Sequence, residues 1–146
     1  MDLNARNNVF IFDKFRVFFK HTDYYGCLHP YNYLEWTSYV REAFFSEKCG
    51  DFRRLLESPI KMMTSKIDQT VFLDSLFGDE IEGRFSCARI KRVSFDVGVR
   101  FFNKRLEKVV CETVHTLVFL DEQTQRFAAI PENIKNAVLF YQEEGV

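Results

Sequence analysis

Between Val93 and Phe102 the chain alternates, with Val93, Phe95, Val97, Val99 and Phe101 all falling on one side. A period of two predicts a strand with one buried face. Glu80 to Ile90 repeats the pattern, with Ile81, Gly83, Phe85 and Cys87 set against Glu82, Arg84 and Ser86. Lys108 to Leu120 is the longest such stretch. There Val110, Glu112, Val114, Thr116 and Val118 oppose Cys111, Thr113, His115, Leu117 and Phe119. Val9 to Lys20, rich in Val, Ile and Phe, predicts a first strand, Lys61 to Leu73 another, and Arg126 to Ile130 a short last one.

Helical spacing replaces alternation from Tyr31 to Lys48. Tyr33, Trp36, Tyr39, Val40, Ala43 and Phe44 recur on one face, and Leu34 and Phe45 widen it. Few positions are left for solvent, so this helix is expected to lie buried, wrapped by a sheet. Pro30 suits its first turn, where the missing N–H is not needed, and Gly50 suits its end. Asp51 to Glu57 predicts a short extra helical segment, Gly78-Asp79 and Asp121 to Thr124 predict turns, and Pro131 opens a terminal helix to about Glu143. The order is strand, long helix, then four or five antiparallel strands and a last helix, an α+β arrangement with one helix against one curved sheet. Such a sheet leaves an edge exposed, which a second subunit's sheet would cover.

Bulk properties narrow the picture further. A chain of 146 residues is one domain, read here as 1–146, with enough length for a real core. Seventeen Phe and six Tyr point to a thick aromatic core or to apolar surface buried between subunits. A net charge of −1 argues against a nucleic-acid binder. No apolar run approaches a membrane span, and Met1 to Asn8 lacks the apolar core of a signal peptide. Cys27, Cys49, Cys87 and Cys111 are scattered without a CxxC pair, which reads as reduced thiols of a cytoplasmic protein.

Chemistry concentrates between Lys20 and Phe45, where a polar, turn-prone segment meets the start of the aromatic helix. Asp23 there is either a catalytic carboxylate or the head of an Asx-turn. The helix N-terminus offers free N–H groups and a favourable dipole to a developing oxyanion. Pro30 cannot donate, so the donors must be the amides of Tyr31, Asn32 or Tyr33. Arg41 is a charge on an otherwise apolar helix and needs a partner. His29 is either a pocket residue or a plain turn histidine. His21, Asp23 and His29 make a poor metal site, because His-x-Asp at a strand end splays alternate side chains apart and no fourth ligand is evident. His115, in mid-strand, reads as structural.

Asp23-Tyr-Tyr-Gly26, followed by Asn32-Tyr33, Trp36 and Arg41, resembles the signature of hotdog-fold thioesterases of the 4-hydroxybenzoyl-CoA thioesterase type. The stretch Phe72 to Ile81, with Arg92 to Phe102, resembles the subgroup that releases polyketide chains from an acyl carrier protein. The resemblance implies a long central helix wrapped by a five- or six-stranded antiparallel sheet. It implies dimers joined sheet edge to sheet edge, often paired into tetramers, with active sites at the dimer interface. It further implies hydrolysis of an acyl-CoA or acyl-carrier-protein thioester without metal, cofactor or Ser-His-Asp triad. Asp23, Tyr33 and Arg41 match the family's catalytic positions, with Asp23 as base or nucleophile; in the polyketide-releasing subgroup that position is often Asn. Ser38 stands where the family usually carries an acid three residues before the arginine. His29, Tyr31, Asn32 and Trp36 are the expected wall of an acyl pocket. Arg89, Lys91, Arg92 and Ser94 lie at a strand-to-strand turn that holds nucleotide phosphates in CoA-using relatives, or would meet an acidic carrier protein. A dehydratase or hydratase on the same scaffold, and a non-catalytic acyl-CoA-binding module, are the alternatives.

Overall fold

The computed structural model describes residues 8–143. Six strands form one antiparallel sheet: β1 (Phe10–Arg16), β2 (Ile60–Val71), β3 (Glu80–Ala88), β4 (Ser94–Asn103), β5 (Lys108–Asp121) and β6 (Arg126–Phe127). Its order is β1-β3-β4-β5-β2, and β6 pairs with the C-terminal end of β5. Three helices join them: α1 (Asn32–Lys48), α2 (Phe52–Glu57) and α3 (Glu132–Phe140). α1 lies on the concave face of the sheet, as a hotdog fold requires. No helix among the described residues is long and apolar enough to cross a membrane.

The alternation predicted for the central strands holds. Ile81, Phe85, Cys87, Phe95, Val97, Val99, Phe101, Cys111, Leu117 and Phe119 are all buried on the inner face. Against them α1 sets Tyr33, Trp36, Val40, Phe44 and Phe45. Gly83 lets helix and sheet approach, because a Cβ there would lie 2.9 Å from Val40 Cγ2. Phe44 stacks on Phe85 at 4.2 Å between ring centroids, and Trp36 on Phe15 at 4.7 Å. Aromatic pairs of this kind account for much of the Phe-rich composition.

Three expectations change. The first strand ends at Arg16, short of Lys20. Val17 leaves the ladder to exchange backbone bonds with Gly78 and Asp79, and Phe19–His21 forms a 3₁₀ turn. α1 is covered on one side only: Leu34 and Tyr39 stay exposed, since a single sheet has one concave face. β2 carries a bulge at Ser65, seen as a register shift between Thr64 and Lys66. One extra residue reverses the alternation. Thr64, Ile67 and Gln69 therefore share the inner face, while Lys66 and Asp68 turn outward.

β2 is a twelve-residue edge whose outer side has no partner strand among the described residues, and most of its residues are exposed. The other large exposed apolar surface comes from two loops. Tyr24 and Tyr25 are 96% and 85% exposed, and Phe72, Leu76 and Phe77 join them. The loops pair through Leu28 N to Ser75 O at 2.7 Å and Phe77 N to Gly26 O at 3.1 Å.

Candidate active site

Asp23 opens a tight loop between the 3₁₀ turn and α1. Its Oδ1 accepts from the backbone N–H groups of Tyr25 at 2.9 Å and Cys27 at 3.1 Å. Its own N–H donates to Cys27 O, and Gly26 N donates to Asp23 O, with Gly26 at φ 78° closing the turn. Only glycine adopts that backbone without strain. The residue is thus the head of an Asx-turn, and it is also an exposed carboxylate of fixed orientation. The turn occupies Oδ1; Oδ2 takes no hydrogen bond among the described residues.

The start of α1 is less open than the sequence implied. Asn32 N donates to His29 O at 3.1 Å and Tyr33 N to Pro30 O at 3.2 Å. Both amides are occupied by the first turn, because the chain enters the helix through a compact bend at Pro30. Tyr31 N is the least committed, reaching His29 Nδ1 at a long 3.4 Å. His29 and Tyr31 are exposed side by side, ring centroids 4.3 Å apart. Asn32 is buried and ties the loop to the helix, its Nδ2 donating to His21 O at 2.8 Å and His29 O at 2.9 Å.

Trp36 and Tyr33 do not wall an open cleft. Trp36 is buried between Phe15, Tyr33 and the edge of His21. The Tyr33 ring packs on Phe101, and its hydroxyl is buried without a hydrogen-bond partner. Burial pushes that phenol far above its ordinary range, against a smaller opposing influence of Ser75. Both side chains point inward at helical spacing, as the buried face read from the sequence requires.

Arg41 lies eight residues beyond Tyr33, about 12 Å along the helix axis from the end of α1 that meets the Asp23 loop. Its Nη1 donates to His115 Nδ1 at 3.1 Å and to Thr64 Oγ1 at 3.2 Å. Arg89, Lys91 and Ser94 lie further away still, beyond the other end of β3, which at nine residues spans roughly 30 Å. There they line a cavity of about 390 Å³ on the outer face of the sheet, floored by Gly98 and completed by Lys66, Asp96 and Arg100. Arg92 is exposed and does not line it. The cavity mixes charges: Arg100 Nη1 meets Glu143 at 2.8 Å, and Arg89 Nε stands 3.8 Å from Asp96. Lys66 and Lys91 form no ion pair among the described residues.

One buried cluster escaped the sequence reading. Asp79 Oδ1 accepts from Arg105 Nε at 2.7 Å, and its Oδ2 accepts from Arg105 Nη2, Asn103 Nδ2 and Leu76 N at 2.9 to 3.0 Å. Asn103 also donates to Ser75 Oγ at 3.0 Å. Ser75 in turn holds Leu28 through its carbonyl, so this cluster anchors the Asp23 loop. The sequence showed Gly78-Asp79 as a turn; its side-chain partners, Asn103 and Arg105, lie more than twenty residues away. Among the described residues no group of three or more His, Cys, Asp or Glu is placed to hold a metal ion.

A sequence profile of the thioesterase-like superfamily matches residues 17–138. The chain belongs to that superfamily, and the match supports thioester hydrolysis as the class of chemistry. No curated protein matches it. Among solved structures, the dynemicin thioesterase superposes with a TM-score of 0.85 at 15% identity, covering 93% of this chain and 99% of that one. A 1,4-dihydroxy-2-naphthoyl-CoA thioesterase from Synechocystis gives 0.81 at 12% identity, covering 90% and 96%. A Staphylococcus aureus protein solved in complex with CoA gives 0.84 at 15%, covering 98% and 92%. At these identities the likeness speaks for the hotdog fold.

Proposed function

We propose that this protein is an acyl-CoA thioesterase in which Asp23 activates the attacking water. The observation that carries the reading is an exposed carboxylate, locked in orientation by its own loop and set beside the start of α1, in a chain of the thioesterase-like superfamily. Asp23 takes a proton from water as the water oxygen bonds to the thioester carbonyl carbon. The positive end of α1, with the Tyr31 amide as its least committed donor, faces the resulting oxyanion. The C–S bond then breaks, the thiolate leaves with the proton held by Asp23, and the free acid remains.

The separation of Asp23, Arg41 and the Arg89–Ser94 turn within one chain supports a dimer joined at the β2 edges. Gln69 of β2 donates to Pro30 O at the α1 N-terminus, at 2.9 Å, whereas Thr64 of β2 receives Arg41. Two antiparallel β2 edges centred between these positions set Arg41 of one copy beside the α1 N-terminus of the other. The same twofold brings the far end of one sheet toward the Asp23 loop of its mate. The exposed Tyr24, Tyr25, Phe72 and Phe77 then border a groove suited to a long aliphatic, polyene or aromatic acyl group. Lys66 and Lys91, with Arg89, suit CoA phosphates better than a broad protein surface, because they sit in a bounded cavity. Pairing of dimers into a tetramer and a cytoplasmic location complete this reading.

The experiment is thiol release from a panel of acyl-CoAs and acyl-pantetheinyl carrier proteins, with Asp23→Asn alongside. A kcat lower by at least ~100-fold in the variant is expected, the scale of lost general-base catalysis. Full activity in Asp23→Asn would remove the carboxylate from the mechanism. Tight binding with no release from any substrate would identify a regulatory binding module instead.

A further inference from the structure

The buried side-chain polar atoms that lack a hydrogen-bond partner among the described residues are the Tyr33 hydroxyl, Arg41 Nε and His115 Nε2. Arg41 and His115 meet in the seam between α1 and β5, further along the helix face that carries Tyr33, whose ring packs on Phe101. Tyr33, Thr37 and Arg41 recur every four residues on one helix face, opposite Thr113 and His115 on the inner face of β5. Thr37 Oγ1 donates to Tyr33 O at 2.7 Å and lies 2.8 Å from Thr113 Oγ1. The next step along the seam is the Arg41–His115 pair.

Arginine offers only donors, so the His115 Nδ1 facing it must present its lone pair. The imidazole proton then resides on Nε2, where nothing receives it. His115 is 1% exposed, and burial together with the Arg41 charge pushes its pKa down to about 4. The guanidinium thus rests on two neutral acceptors, His115 and Thr64, and no carboxylate pairs with it among the described residues. A seam selected for stability alone would be expected to pair this charge or replace it with apolar groups, because an unpaired cation and two orphaned donors are costly. A neutral acceptor has one property that a carboxylate lacks: it orients the cation without cancelling its charge.

We propose that His115 is a positioning residue, which aims the Arg41 guanidinium at the open β2 edge and leaves its positive charge uncompensated for the thioester oxygens. This rests on the reading that Arg41 of one copy completes the site of the other. His115 does not touch the substrate; it acts through Arg41.

Three variants at one position separate orientation from charge. His115→Asn keeps a neutral acceptor at the δ position, His115→Leu removes the acceptor, and His115→Asp keeps an acceptor but cancels the charge. Each is assayed for hydrolysis of lauroyl-CoA and benzoyl-CoA, with Arg41→Ala and the His115→Leu/Arg41→Ala double variant alongside. The expected result is near-native kcat for His115→Asn, and a kcat lower by ~100-fold with little change in KM for His115→Leu and His115→Asp, the scale of a misplaced catalytic group. The double variant should be no slower than Arg41→Ala alone. Native kcat in His115→Leu or His115→Asp, with Arg41→Ala impaired, overturns the proposal and leaves the site reading intact. Native kcat in Arg41→Ala overturns the site reading itself. If His115→Leu does not fold, the contrast between Asn and Asp decides. If the native protein releases no thiol, affinity for the thioether S-dodecyl-CoA replaces kcat. Loss of affinity in His115→Asp but not His115→Asn then supports the proposal, and equal affinity overturns it.

Discussion

Replacing Asp79 with Asn removes one charge at almost constant shape, and the structure allows its cost to be worked out. The carboxylate side chain is 4% exposed and receives four hydrogen bonds, two from Arg105 and one each from Asn103 and Leu76. Whichever way the new amide turns, its NH₂ group confronts at least one donor that the carboxylate oxygen had satisfied. A buried donor left without an acceptor costs about 1–3 kcal/mol. The Arg105 share is discounted, since that side chain is half exposed and water takes over part of its solvation. The sum is about 3 kcal/mol, or about 10 °C in Tm for a chain of this length. Acid should erase the difference. Burial alone would raise the Asp79 pKa, but the bonds from Arg105, Leu76 and Asn103 outweigh it and hold the carboxyl below its usual range. A depressed pKa contributes stability that is fully present above the unfolded value, about 4, and is lost as pH falls through the folded value. Calorimetric melts of both proteins should therefore differ widely at pH 7 and converge below the carboxylate range. A gap under about 1 kcal/mol at pH 7, or a gap that persists undiminished in acid, would refute the reasoning.

Gly83→Ala should cost about 1–3 kcal/mol, because the added methyl meets a fully buried valine at 2.9 Å. Gly98→Ala on the outer face, with its nearest neighbour at 3.8 Å, should change denaturant stability little. Tyr33→Phe removes a hydroxyl that is buried without a partner and should leave stability unchanged or slightly raised; a loss above about 1 kcal/mol would mean that the hydroxyl is satisfied in solution. Ile67→Glu places a charge on the exposed inner face of the β2 edge and should shift sedimentation toward monomer if that edge is the dimer seam. An unchanged association state would move the interface elsewhere.

Much of the fold follows from neighbours along the chain. The period of two in β3, β4 and β5 fixed their inner faces, the helical spacing from Tyr33 to Phe45 fixed α1, and Pro30 and Gly50 marked its ends. The spacing from Asp23 to Arg41 pointed to the family. Tertiary structure alone decided what depends on contacts between distant residues. The bulge at Ser65 shows no local signal, yet it settles which side chains of β2 face α1 and which face the outer cavity. Arg41 meets a histidine 74 positions away, and Asp79 meets Asn103 and Arg105. The residues read as one site fall at opposite ends of a sheet, because neighbouring antiparallel strands return a chain over the distance they have just covered. Periodicity says which face a residue occupies; only packing says what it finds there.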